Sequence, residues 1–145
     1  MTSDTAMRTI HLLRAVTLQT NMLAADFARA NALNTTDVHA LIGLLDRERS
    51  GLQATPGWLA EHLAVNSAST TALVDRLVRR GLVTRSRDHV DRRRVVLVVT
   101  PAARDLGESF FEPVFNRISD AANAYSADEM DIVDRFLVDV ASALR

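Results

Sequence analysis

The sequence contains no cysteine and no lysine, only five glycines and three prolines, and few aromatic side chains. The absence of cysteine excludes disulfides, thiolate nucleophiles, cysteine-based zinc sites and thiol redox sensing. The shortage of glycine and proline leaves little room for long loops and favours helices. No apolar run approaches the roughly 20 residues of a membrane-spanning helix, and the first four residues lack a signal-peptide pattern. We therefore expect a cytoplasmic globular protein with no membrane contact.

Sequence motifs of common catalytic sites are also missing. There is no glycine-rich phosphate loop, no His-Glu-x-x-His helix and no Gly-x-Ser-x-Gly elbow. The four histidines are scattered, and His89 lies at a polar turn between two aspartates, where converging metal ligands are seldom found. The sequence therefore predicts no enzyme, no cofactor and no metal site.

Charge is distributed unevenly along the chain, although the formal net charge is only −1. Residues 51–100 carry eight arginines against four acids, whereas the remainder carries nine arginines against fourteen acids. A basic middle between acidic flanks is typical of a nucleic-acid binding surface on a neutral scaffold. A GC-rich genome could equally explain the exclusive use of arginine through codon bias, so that preference alone indicates no partner.

Apolar residues recur every three to four positions through the first half of the chain, which predicts four helices. The first covers residues 6–31, and the second follows the polar capping residues 34–36. Thr55 and Pro56 form a start signal for a third helix that runs to about residue 64. Ser67 is expected to cap a fourth helix that ends at Gly81.

The second half begins with two short β-branched runs, residues 82–87 and 94–99, which predict a hairpin with a polar tip. Thr100-Pro101 starts a fifth helix, and the capping box that begins at Ser126 starts a sixth. The predicted fold is mainly α with a small β-hairpin, in the order α-α-α-α-β-β-α-α. Two short helices followed at once by a basic hairpin indicate a winged helix-turn-helix.

The second of those short helices has small, polar residues on its outer face, which suits entry into a major groove about 12 Å wide. The hairpin tip is flanked by arginines that can lie along the DNA backbone or enter the minor groove. We therefore expect contacts with double-stranded DNA from Ser67, Ser69, Thr71, Arg76, Arg87, Arg92, Arg93 and Arg94.

These segments resemble the MarR family of bacterial regulators. The resemblance is carried by residues 55–63, by residues 73–83, and by residues 91–101, in which Asp91 and Arg93 occupy the paired positions of an Asp-x-Arg wing signature. It covers nearly the whole chain, with the winged lobe at about residues 35–100 and dimerisation helices at about residues 6–31 and 101–145. It implies one MarR-like domain over residues 1–145.

The resemblance also implies roles for individual residues. Arg93 would contact DNA at or near the minor groove, with Asp91 orienting it through a salt bridge. Many relatives have a basic residue where this chain has Ala72, so base contacts are expected to depend more on Ser69, Thr71 and Arg76. The implied homodimer interface comprises Ile10, Leu12, Leu13, Phe136, Leu137, Val140 and Leu144.

Family resemblance further implies a repressor that binds a pseudo-palindromic operator and is released by a small, often aromatic, anionic effector. His39 and Trp58 are the candidate pocket residues for such an effector. Two alternatives remain open at this point. A winged helix can serve as a protein-interaction module, and a DNA-binding protein can act constitutively without any effector.

Overall fold

The computed structural model describes residues 3–144, which divide into two compact units. The first unit runs to Asp105 and the second begins at Leu106, within the fifth helix. The elements are α1 Ser3–Ala30, α2 Thr35–Arg49, α3 Pro56–Leu63, α4 Ser67–Arg79, β1 Val83–Arg87, β2 Val95–Val99, α5 Pro101–Ala122 and α6 Ala127–Ala143. The predicted mainly α fold and its element order are confirmed, and the predicted winged lobe lies inside the first unit.

A small hydrophobic core holds the first unit together. Leu59 of α3 and Leu77 of α4 are completely buried, and Val38 of α2 and Val83 of β1 are nearly so. The three helical residues lie where a spacing of three to four residues places them on the inward face of each helix, and Val83 is the buried first residue of β1. Because all four elements contribute, the core fixes α3 and α4 relative to the hairpin.

The hairpin is an antiparallel pair in which Val83 faces Val99 and Arg87 faces Val95. The backbone of Leu97 donates a hydrogen bond of 2.8 Å to the carbonyl of Ala54, so the segment before α3 adds one bridge to the sheet. Each strand begins one residue later than the sequence predicts. The arginine-rich tip therefore projects from a sheet whose base is buried in the core.

Polar caps begin several of the helices as predicted. Asn34 and Asp37 form a reciprocal capping box at α2, Thr55 caps α3, and Ser126 forms the expected capping box with Glu129 at α6. The expectation for α4 is wrong by one residue. The side chain of Asn66, not Ser67, accepts a hydrogen bond of 2.8 Å from the backbone N–H of Ser69.

Asn66 is therefore predicted to stabilise α4, and Ser67 is not. Asn66→Ala is expected to lower the free energy of unfolding by about 1 kcal/mol, because an orphan N–H of the first turn loses its acceptor. Ser67→Ala, the matched control, is expected to change it by less than about 0.5 kcal/mol. Denaturant titration at a fixed protein concentration measures both variants. A larger loss in Ser67→Ala would contradict the assignment.

The second unit contains the rest of α5 and all of α6. None of its described residues is buried, and α6 has an exposed row of apolar side chains. Helical spacing of 100° per residue places Phe136, Leu137, Val140 and Leu144 on one side of α6. In α1, Ile10 and Leu12 are exposed as well, while Leu13 is half-buried. No helix among residues 3–144 is long and apolar enough to cross a membrane.

Candidate nucleic-acid interface

The outer face of α4 carries short polar side chains that are open to solvent. Ser67, Ser69 and Thr71 are all exposed, as the sequence predicts. The Thr71 hydroxyl donates a hydrogen bond of 2.9 Å to the Ser67 carbonyl, so its oxygen can still accept hydrogen bonds from a partner. The surface can therefore approach a base-pair edge closely and still offer hydrogen-bonding atoms.

An ion pair links this helix to the wing. The guanidinium of Arg85, on β1, donates a hydrogen bond to the carboxylate of Asp75, on α4. Both side chains are partly exposed, so the pair contributes little to stability by itself. Its geometric effect is to tie the base of the hairpin to α4, which makes the two elements one continuous surface.

Asp88 organises the tip of the hairpin. Its carboxylate is nearly buried, accepts a hydrogen bond of 3.1 Å from the Val90 backbone N–H, and lies 3.7 Å from the guanidinium of Arg94. The hydrogen bond from Val90, together with Gln53 and the positive charge of Arg94, keeps the pKa of Asp88 below its ordinary value. Arg94 is therefore partly committed to holding the tip in shape.

The expected salt bridge between Asp91 and Arg93 is not what the structure shows. The Asp91 carboxylate instead accepts a hydrogen bond of 3.0 Å from the backbone N–H of Arg93. An aspartate two residues before an N–H commonly closes a turn in this way, and this local bond competes with the side-chain pair. Asp91 and Arg93 do interact, as the resemblance implies, but Asp91 binds the backbone of Arg93 and not its guanidinium.

Two wing arginines are therefore available for an external partner. Arg92 and Arg93 are exposed, and neither guanidinium makes an ion pair within residues 3–144. Arg87 donates a hydrogen bond of 3.0 Å to the Arg92 carbonyl, which supports the tip from the adjacent strand. The wing thus presents free positive charge on a backbone that three side chains hold in place.

Arg76 points in a different direction from the one expected for a DNA contact. Its Nε lies 3.1 and 3.2 Å from the two carboxylate oxygens of Asp37, and its Nη2 lies 2.5 Å from one of them. The Asp37 side chain is 1% exposed and that of Arg76 is 37% exposed. The hydrogen bond to Asp37 raises the pKa of Arg76, against a smaller opposing effect of burial. The pair joins α4 to the start of α2.

Arg79 is a candidate that the sequence reasoning did not select. It is exposed, makes no ion pair within the described chain, and lies two turns after Ala72 on the outer face of α4. Helical spacing of 100° per residue places Arg79 with Ala72 and Asp75 on the face opposite Leu77, so a helical wheel would have identified it. Its free guanidinium extends the positive surface beyond the hairpin.

The candidate effector residues lie outside an open cavity beside the hairpin. Trp58 stacks on His62 with ring centroids 4.8 Å apart, and the guanidinium of Arg47 lies 4.7 Å from the Trp58 ring. His39 is exposed on α2. This cavity of about 240 Å³ lies between α2 and the part of the hairpin that includes Ser86, Arg87 and His89, and neither His39 nor Trp58 lines it. The effector site therefore remains a prediction.

Comparison with known proteins agrees with this geometry. The model of the MarR family matches residues 33–95, which include α2, α3, α4 and β1 and end at the first residue of β2. Residues 33–95 are therefore similar to the MarR family.

Two proteins with similar sequences come from Bacillus subtilis (strain 168). The uncharacterized HTH-type transcriptional regulator YcgE is 35% identical over 83 residues, which are 57% of this chain and 54% of that protein. The HTH-type transcriptional repressor YetL is 31% identical over 86 residues, which are 59% of this chain and 52% of that protein. The matched region thus spans about half the length of either relative.

Solved structures extend the likeness of the fold beyond residues 33–95. A variant of MepR from Staphylococcus aureus has a TM-score of 0.76 at 20% identity, covering 94% of this chain and 97% of that one. A MarR family protein from Bacillus stearothermophilus has a TM-score of 0.68 at 22% identity, covering 99% and 98%. A complex of S. aureus MepR with DNA has a TM-score of 0.60 at 20% identity, covering 93% and 98%. These similarities include α1, α5 and α6 as well as the winged lobe.

Proposed function

We propose that this protein is a MarR family regulator that binds duplex DNA as a homodimer and regulates transcription. The observation that carries the proposal is the pair of free, exposed arginines, Arg92 and Arg93, on a hairpin tied to the polar outer face of α4. Unpaired guanidiniums on an ordered backbone suit a partner with closely spaced negative charges, which a phosphate backbone provides. The fold places a helix beside them that is narrow enough for the major groove.

The two parts of this surface have different roles in the proposal. Ser69 and Thr71 lie against base edges in the major groove, with Ser67 near a phosphate at the start of α4. Arg79 contacts a phosphate at the far end of the helix. Arg93 enters or borders the minor groove beside Arg92, where the potential is most negative if the groove is narrow. Arg87 and Arg94 support the tip and add positive charge.

A homodimer is supported by apolar surface that a single chain leaves uncovered. Leu12 in α1 is 61% exposed, and Leu137 and Leu144 in α6 are 45% and 83% exposed. A row of exposed apolar side chains on one side of a helix, as on α6, usually marks a protein–protein interface. A twofold dimer presents two copies of α4 to successive major grooves, about 34–36 Å apart along B-DNA, and binds a sequence with the same symmetry.

Repression is the regulatory outcome that we propose, since one of the two Bacillus relatives is described as a repressor. The family resemblance adds release by a small aromatic or anionic effector, for which His39 and Trp58 remain the candidate contacts. Such an effector acts only if it binds the DNA-competent and DNA-incompetent states with different affinity.

Selection of bound sequences from a random duplex pool tests the proposal. We expect enrichment of an inverted repeat whose half-site centres are about one helical turn, roughly 10 base pairs, apart. Pools bound by an Arg92→Ala/Arg93→Ala protein serve as the control and should show weaker enrichment. The absence of any enriched sequence, or a single half-site without symmetry, would contradict a twofold DNA-binding protein.

A further inference from the structure

Two arginines on one flank of α4 bind groups near the junction between α1 and α2. Arg76 contacts Asp37, as described above, and Arg80 follows one helical turn later. Arg80 donates a hydrogen bond of 2.6 Å from Nη2 to the Asn31 carbonyl and another from Nη1 to the Ala32 carbonyl. We refer to Asp37, Arg76 and Arg80 as the α4 clamp.

The groups that the clamp binds belong to a backbone corner with little freedom. Ala32 has a left-handed backbone with φ of 52°, and Asn34 forms the capping box that begins α2. One Asp37 carboxylate oxygen accepts a hydrogen bond of 3.2 Å from the Asn34 backbone N–H while the carboxylate also binds Arg76. The carbonyls at the end of α1 lack helical partners, so a guanidinium there both satisfies them and complements the helix dipole.

The clamp holds a different side of α4 from the side that packs in the core. The main packing partners of α4 are α3 and β1, whose contacts hold its inward face. The clamp instead holds the helix sideways, at two points one turn apart, against the corner that joins the first two helices. Its two guanidiniums therefore add a second restraint on rotation of α4 about its long axis, beside the packing of its apolar stripe in the core.

We propose that the α4 clamp sets the orientation of α4 and thereby determines discrimination between DNA sequences rather than overall affinity for duplex. This inference rests on the proposed function. Hydrogen bonds to base edges require α4 to sit at a defined angle and depth, whereas arginines on flexible side chains reach phosphates over a range of positions. In this account Arg76 is a positioning residue and not a base contact.

Asp37 allows the two roles of Arg76 to be separated. Because its side chain is 1% exposed, Asp37 cannot touch DNA, and Asp37→Asn retains an oxygen that can accept from the Asn34 N–H. If Arg76 were a base contact, Asp37→Asn would release its guanidinium toward DNA and would preserve or improve discrimination. If Arg76 positions α4, Asp37→Asn would reduce discrimination as Arg76→Gln does.

The experiment compares affinities for the selected operator and for a scrambled duplex of equal length. Asp37→Asn, Arg76→Gln and Arg80→Ala are each expected to lower the ratio of the two affinities about tenfold or more, comparable to one lost base-pair preference. The double variant Asp37→Asn/Arg76→Gln should be no worse than either single one, since both break the same contact. Affinity for scrambled duplex and the salt slope should stay unchanged in all four proteins.

Arg79→Ala is the comparison variant, and it is expected to change overall affinity for duplex rather than discrimination between sequences. The loss of a free outer arginine should weaken binding to both duplexes and reduce the salt slope, with little change in their affinity ratio. Denaturant titration of every variant identifies the conditions in which each protein is fully folded. If Asp37→Asn or Arg76→Gln prevents folding, Arg80→Ala still tests the clamp, because the hydrogen bonds that Arg80 donates go to exposed carbonyl groups.

The possible outcomes distinguish failure of the clamp hypothesis from failure of the proposed function. If the unaltered protein shows no salt-dependent binding to any duplex, the proposed function fails and the clamp has no role in recognition. If duplex binding is retained but the affinity ratio is unchanged in the three single variants, only the clamp is overturned. A ratio that falls in Arg76→Gln but not in Asp37→Asn would return Arg76 to the role of a direct base contact.

Discussion

Replacing both Arg92 and Arg93 by alanine is expected to weaken binding to duplex DNA at least tenfold at moderate salt and to flatten its salt dependence. Both guanidiniums are exposed and unpaired in the described chain, so their removal takes away positive charge without disturbing the hairpin. Each phosphate contact contributes about 0.9 to the slope of log affinity against log salt. Four arginines in a dimer therefore account for a slope change of about 3 to 4.

The matched control removes the same charge from elsewhere in the chain. Arg29 and Arg49 each pair with an aspartate three residues earlier, on α1 and α2 respectively. Arg29→Ala/Arg49→Ala changes the net charge equally but leaves the hairpin and α4 intact. Fluorescence anisotropy at several salt concentrations measures affinity and slope together. Equal losses in the two double variants would show that net charge, not the wing, governs binding.

Leu137→Asp is expected to convert the dimer to a monomer and to reduce operator affinity by at least a hundredfold. Leu137 is 45% exposed on the apolar side of α6, so a carboxylate there disturbs its own chain little but would be desolvated in an interface. A monomer loses the second half-site and with it the gain from simultaneous binding. Light scattering should give twice the 16.0 kDa chain mass for the original protein and the chain mass for the variant.

Val138→Asp is the control on the same helix. Val138 is 64% exposed, and helical spacing places it with Asp131, Arg135 and Ser142 on the polar side of α6. The substitution is similar in kind, but it lies outside the proposed interface, so dimer mass and operator affinity should be retained. A Leu137→Asp protein that stays dimeric would place the interface elsewhere.

Periodicity and capping signals were sufficient to predict the helices and the hairpin from the sequence. The spacing of Leu73, Val74 and Leu77 places them inward, and all three are buried. Pro56 and Pro101 both begin helices, as their fixed φ favours. These features are local, which is why a single sequence specifies them. Boundaries were less accurate: Asn66 competes successfully with Ser67 for the cap because asparagine is at least as good an acceptor there.

The partners of individual arginines could not be predicted, because they depend on contacts distant in sequence. Arg76 lies 39 residues from Asp37, and nothing in the spacing of α4 indicates that a carboxylate on α2 is within reach. The same holds for Arg80 and the end of α1. Sequence identifies a basic segment, but only the fold divides its arginines into those that bind the protein itself and those that are free.

The central claim is that α4 and the hairpin form one duplex-binding surface, which a twofold axis repeats. A salt titration of operator binding tests it most directly when the mass of the complex is also measured at each salt concentration. Arg79, Arg92 and Arg93 from each of two chains can neutralise six phosphates, which corresponds to a slope of about −5. The account predicts two chains per duplex and a slope near that value. One chain per duplex, or an affinity that does not change with salt, would contradict it.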